Sequence, residues 1–160
     1  MADVLFVCTG NIFRSLTAEY ALRRELDDIV VASAGTDDYP HVVRPNVRDY
    51  LLSKGLDVRA HRRRTLTAEI LHEAKHVIAM STDHQRFIRE RFGLRAPVFL
   101  EACGGACEAL PDIEEVVADY RTNAEAVDAH VRKTIDTIIG AMPRLARSLQ
   151  ARIQERRSSR

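Results

Sequence analysis

The stretch VLFVCTGNIFRSLTAE, residues 4–19, decides how this chain is read. Its lead-in, Asp3-Val4-Leu5-Phe6-Val7-Cys8, is an apolar run too short for a helix, which predicts a buried strand. Gly10 and Asn11 follow. These are the residue types that tolerate left-handed backbone, as a loop requires when successive amides must point inward. Behind the loop, Ser15 is a helix-starting type, and Ala18, Ala21, Leu22 and Leu26 fall on one helical face. A strand running through a tight loop into a helix N-terminus brings free N–H groups and the positive dipole end to one point. An anion is stabilised there.

Cys8 and Arg14 close the two ends of that loop. A thiol held near a helix N-terminus and a guanidinium is favoured in its nucleophilic, ionised form. Arg14 carries a planar fork that matches two oxygens of a phosphate, which the point charge of a lysine would not. The Ser15 hydroxyl is placed to donate to the sulfur and ease its departure from a covalent adduct. The competing reading makes Cys8 a small core hydrophobe at a strand end, the common fate of buried cysteine.

The residues of this loop resemble the phosphate-binding loop of the low-molecular-weight protein tyrosine phosphatases, whose pattern is Cys, five residues, Arg and Ser/Thr near the N-terminus. VVASAGT at 30–36 resembles that family's second strand, and HRRRTL at 61–66 its His-x-x-Arg segment. HVIAM at 76–80 with STDH resembles the third strand and its exit loop, and VFL at 98–100 the fourth strand. The matches keep their order over residues 3–140.

The resemblance implies a two-step phosphomonoester hydrolysis that uses no metal and no cofactor. Cys8 would attack phosphorus and form a phosphocysteine. The loop Thr9, Gly10, Asn11, Ile12, Phe13 and the Arg14 guanidinium would hold the equatorial oxygens. An aspartate would protonate the leaving group and then deprotonate the attacking water. The family places that acid in an Asp-Pro pair late in the chain. Here the nearest match is Ala109-Leu110-Pro111-Asp112-Ile113, which assigns the role to Asp112, with Asp119 as the fallback. Ile113 stands where a proline is expected, leaving the loop less rigidly preset. Glu114-Glu115 stands where an aromatic pair is common. A competing reading makes Asp112 the cap of a helix starting near Ile113, with Glu115 completing the capping pattern.

In the family, an asparagine of the loop is held in strained geometry by serine and histidine side chains. The matching positions are Asn11, Ser15, Ser33 and His61; the other five histidines read as surface or helix-capping residues. Phe13 stands where many members carry a second cysteine, so a protective disulfide with the nucleophile is not expected. Cys103 and Cys107 flank Gly104-Gly105-Ala106 and read as incidental thiols. They match the relay pair of thiol-linked arsenate reductases, which share the fold, only poorly.

Substrate signals conflict. The apolar branched Ile12 accompanies phosphotyrosine specificity in the family, whereas a threonine there accompanies phosphoarginine specificity. The exit segment Ala79-Met80-Ser81-Thr82-Asp83-His84 resembles the bacterial arginine-phosphatase branch instead. Tyr39 is a candidate aromatic wall for a substrate ring. The expected function is thus a protein tyrosine phosphatase. The alternatives are a protein arginine phosphatase, an arsenate reductase of the same fold, or a phosphate-binding module that has lost turnover.

Composition agrees. A chain of 160 residues suits one core, and a formal charge of +1 supplies no field to steer it to nucleic acid or acidic membranes. No signal peptide or transmembrane run is evident, and an odd count of three cysteines fits a reducing cytoplasm. The expected partner is a phosphorylated protein, and the expected state a monomer or weak homodimer. Apolar runs at 3–8, 29–33, 76–80 and 97–100 alternate with helical stretches. They predict a single-domain α/β three-layer sandwich, a four-stranded parallel twisted sheet flanked by helices and joined by right-handed crossovers. The phosphatase domain is expected over 1–142, with a basic helical extension over 143–160. Val127, Val131, Ile135, Ile138, Met142, Leu145, Leu149 and Ile153 keep helical spacing across Gly140 and Pro143. Either one helix kinks there, or a second begins at Pro143.

Overall fold

The computed structural model describes the backbone of residues 1–158 and the side chains of residues 1–152. The side chains of Ile153 and of the terminal RRSSR lie outside the described residues. Three parallel strands form the sheet: β1 (Ala2–Cys8), β2 (Val31–Gly35) and β3 (Ala74–Ala79), in the order β2-β1-β3. The predicted strand at 3–8 is therefore the central one. Its register pairs Val4 with Val31 and Cys8 with Gly35 on one side, and Val4 with His76 on the other.

Being central, β1 is buried on both faces, which explains its continuous apolar run. Alternation still sorts its side chains. Val4, Phe6 and Cys8 enter a core with Leu16, Leu22, Phe99, Val131, Ile135, Ile138 and Met142. Leu5 and Val7 enter a second core with Leu66, Leu71, Val77 and Ile88. The first core is closed by α1 (Arg14–Glu25), α2 (Pro45–Ser53), α5 (Phe99–Ala102), α6 (Ile113–Val116) and α7 (Ala124–Ser158). The second is closed by α3 (Ala68–His72) and α4 (Thr82–Phe92). The predicted face of Ala18, Ala21, Leu22 and Leu26 is buried throughout. Each fully buried large side chain contributes about 1.5–3 kcal/mol, so these layers hold the end of β1 firmly in place.

The expected fourth strand does not form, and the sheet has three strands instead of four. Around VFL at 98–100 a single parallel bridge joins Ala79 to Val98, with the Ala79 amide donating to Pro97 O at 2.9 Å. Pro97 has no N–H to return. The Val98 amide donates to Glu101 Oε2 at 3.2 Å, and Phe99 opens α5. Two of the donors a ladder would need are missing or diverted, so the apolar run turns into a helix after one bridge. At the other end of the chain α7 is one continuous helix that carries Pro143 inside it.

Candidate active site

β1 ends at Cys8 and α1 begins at Arg14, so residues 9–13 form the loop between them. The α1 N-cap is Phe13, which has no side-chain capping bond. Ser15 is therefore not the cap its residue type suggested. The backbone amides of residues 10–14 donate to no acceptor among the described residues. Unspent N–H groups at a helix N-terminus form an anion cradle.

Asn11 is the one non-glycine residue with positive φ among the described residues, at 56°. A residue held there costs on the order of 1–3 kcal/mol, and the hydrogen bonds around it offset that cost. Asn11 Nδ2 donates to Ser15 Oγ at 3.0 Å and to Ser33 Oγ at 2.7 Å, while its Oδ1 accepts from the Arg64 amide at 2.9 Å. His61 Nε2 donates to Asn11 O at 2.9 Å. Because both serine oxygens accept from Asn11, their own protons are committed elsewhere. Ser33 donates to Glu19 Oε2. Ser15 Oγ lies 2.9 Å from Cys8 Sγ, with its proton free to point at the sulfur. The predicted set of Asn11, Ser15, Ser33 and His61 is thus assembled around one side chain.

Sequence reasoning missed the anchor of this set. Glu19, only 4% exposed, accepts from Ser33 and pairs with Arg23, and lies 3.9 Å from His61 Nδ1. A glutamate one turn into an amphipathic helix looks like solvated surface, and nothing local distinguishes it. Burial holds the His61 imidazole below its usual range, against the raising effects of its bond to Asn11 O and of Glu19. Gly35 explains the small residue in SAGT. A Cβ there would fall 2.5 Å from Thr9 O, so only glycine lets the second strand approach the loop.

The opposite flank is built differently. The buried Arg14 sends Nη1 to Leu110 O at 2.9 Å and Nη2 to Asp112 Oδ2 at 2.6 Å. Nη2 also lies 3.5 Å from Thr9 Oγ1. Asp112 caps α6 as well: its Oδ1 accepts from the Ile113 amide at 2.8 Å, and its own amide donates to Glu115 Oε2 at 2.6 Å. The capping geometry and the contact with Arg14 therefore coexist in one carboxylate. Glu115, together with His130 donating to Pro111 O at 3.1 Å, fixes the segment that lacks the expected proline. Asp119 instead bonds within its own turn, to Asn123.

A cleft of about 190 Å³ opens over the loop, lined by Cys8, Thr9, Gly10, Ile12, Phe13 and Arg14. Its outer wall is Asp37, His41, Arg44, Val47, Asp112, Ile113 and Glu114. Tyr39 is not part of that wall. It is 64% exposed and rests on the His41 ring at 4.9 Å. Two histidines read from sequence as surface residues lie at the site. His41 Nε2 donates to Asp37 Oδ2 at 2.8 Å, beside Gly10. His84 is buried, with its two nitrogens 2.9 Å from Thr9 Oγ1 and from Ser81 Oγ. Burial pushes its imidazole down to about 3, helped by the Arg14 charge and opposed by Asp112. Cys103 and Cys107 are free thiols that do not line this cleft, and burial pushes Cys103 up to about 11.

Comparison with known proteins agrees with this geometry. The arginine phosphatase YwlE from Geobacillus stearothermophilus superposes with a TM-score of 0.80 at 28% identity, covering 97% of each chain. A YwlE arginine phosphatase mutant with serine for cysteine, its active-site serine phosphorylated, gives 0.76 at 25% identity and covers 92% and 95%. In sequence, the low molecular weight protein-tyrosine-phosphatase Etp of Escherichia coli K12 is 35% identical over 83 residues. That match spans 51% of this chain but only 56% of Etp, just over half its length. Residues 3–155 match the family described as low molecular weight phosphotyrosine protein phosphatase, and the chain belongs to that family.

Proposed function

We propose that this chain is a cysteine-dependent protein phosphatase that works through a phosphocysteine intermediate. One observation carries the proposal: Cys8 Sγ, the unspent loop amides, Arg14 and Asp112 converge on a single small cleft. Cys8 attacks phosphorus, the bond to the leaving atom breaks, and Asp112 supplies that atom's proton. The amides of the loop and Arg14 carry the charge of the transferring group. Ser15 stabilises the sulfur as it leaves, when water deprotonated by Asp112 attacks the phosphocysteine and releases phosphate. For this, Asp112 Oδ2 parts from Arg14 Nη2, which then turns to phosphate oxygen.

Phosphoarginine is the substrate favoured by the cleft wall. Asp37, Asp112 and Glu114 line the outer wall with Arg44 and His41, an acidic excess that suits a positively charged guanidinium, and Tyr39 is not in the lining. The similarity to the YwlE arginine phosphatases supports the same choice. Ile12 in the cleft favours the second reading, phosphotyrosine, and the likeness to Etp supports it. A paired assay on phosphoarginine and phosphotyrosine peptides decides between them, with Cys8→Ser as the control. Hydrolysis of both peptides that survives in Cys8→Ser overturns the mechanism.

A further inference from the structure

The structure assigns His84 as a positioning residue that fixes the Thr9 hydroxyl and, through it, the phosphate-binding guanidinium of Arg14. The inference rests on the phosphatase reading of the cleft and adds to it a side chain that touches neither substrate nor sulfur.

The hydrogen bonds form a directed chain. Arg14 can only donate, so Thr9 Oγ1 accepts from Nη2 at 3.5 Å. Thr9 Oγ1 lies 2.9 Å from His84 Nε2, and the proposed chain places the Thr9 proton on that contact. A neutral imidazole that accepts at Nε2 carries its proton on Nδ1, which donates to Ser81 Oγ at 2.9 Å. With the proton on Nδ1 every link runs one way, from Arg14 through Thr9 and His84 to Ser81, just past the end of β3.

Two further observations mark the chain as specialised. Ser81 is the N-cap of α4 and a favoured capping type, yet its hydroxyl makes no capping bond to the helix. It is spent on His84 instead. In addition, the ring is 4% exposed with Arg14 and Asp112 as its charged neighbours, so it stays neutral while the enzyme works. A protonated ring would point Nε2–H at Thr9 and deprive the hydroxyl of its acceptor.

The need for such a support follows from the acid's double duty. When Asp112 leaves Arg14 to protonate the leaving group, Leu110 O on Nη1 and Thr9 Oγ1 on Nη2 are the protein partners left to aim the guanidinium at phosphate. A guanidinium held by a wandering hydroxyl would lose the alignment that bidentate phosphate binding demands.

His84→Leu, His84→Gln and Ser81→Ala test this, using aryl phosphate turnover together with calorimetric binding of inorganic phosphate. His84→Leu is expected to raise KM and weaken phosphate binding about 10- to 100-fold, with a smaller change in kcat. His84→Gln, which keeps an acceptor for Thr9, is expected to recover most of the loss. Ser81→Ala, which leaves the ring in place but untethered, is expected to fall in between, and it carries the test if His84→Leu does not fold. Folded His84→Leu, or Ser81→Ala in its stead, with the parent's KM and phosphate affinity overturns the inference. A fall in kcat alone, or no recovery in His84→Gln, overturns it as well. If the parent itself turns over no aryl phosphate, the phosphatase reading fails separately, and phosphate affinity across the three variants still decides the role of His84.

Discussion

The two flanks of the Cys8 loop solve opposite problems. On the Asn11 side, the side chain is buried and its bonds form together: two serines, His61, Arg64 and, through Ser33, Glu19 leave Asn11 one geometry. On the Arg14 side, one carboxylate serves a guanidinium, a helix cap and, in the proposed mechanism, a leaving group, with its side chain 36% exposed. The first flank must not move because it shapes the amide cradle. Under the proposed mechanism the second must move, because an Asp112 oxygen that holds Arg14 cannot transfer a proton at the same time. Rigidity is therefore built with redundant hydrogen bonds, and mobility with partial exposure and a shared partner.

Substitutions separate the two flanks. The largest effect is expected for Asp112→Asn, which preserves the capping geometry but removes the acid. Turnover of poor leaving groups should fall about 10²–10⁴-fold with little change in melting temperature. Parent-like rates on an alkyl phosphate would dismiss Asp112 as the acid. Next comes Asn11→Ala. This removes the bonds that offset a positive φ and leaves Ser15 and Ser33 without their donor. It is expected to cost about 2–4 kcal/mol and to lower turnover together with stability. Thermal unfolding beside kinetics measures both, and a loss of activity at unchanged stability would break the contrast.

Acid titration gives a further test. His84 is held neutral down to about 3, while an unfolded chain takes up that proton near 6.5. The unfolded state therefore binds more protons between those values, and stability falls as pH drops through that window. At pH 5 the cost is about 2 kcal/mol. Chemical denaturation of the parent at pH 7 and pH 5 should show it, and His84→Gln should show a correspondingly smaller difference. The smallest effect concerns specificity. Ile12→Thr is expected to move the ratio of phosphoarginine to phosphotyrosine turnover a few-fold toward arginine, since one apolar contact in the cleft is worth about 1 kcal/mol. A ratio that stays put would place the choice with the acidic wall.

The sequence by itself determined the strand–loop–helix around Cys8. Its parts are contiguous, from Ala2 to Glu25, and short apolar runs, left-handed types and helix starts are local signals. The resemblance carried Asn11, Ser33 and His61 to their places because their motifs are short and ordered. Tertiary structure alone decided the rest. Glu19 and His84 became buried because distant strands and helices closed over them, and a single sequence does not mark which polar side chains will be covered. The fourth strand was lost for the same kind of reason. Whether VFL extends a sheet depends on donors at Pro97 and Val98, and those are withdrawn by a ring and by a glutamate three residues later. Asp112 could be read either as cap or as acid, and its chain neighbours could not choose between them. Only the approach of Arg14, 98 positions away, shows that the capping carboxylate also meets the guanidinium of the Cys8 loop.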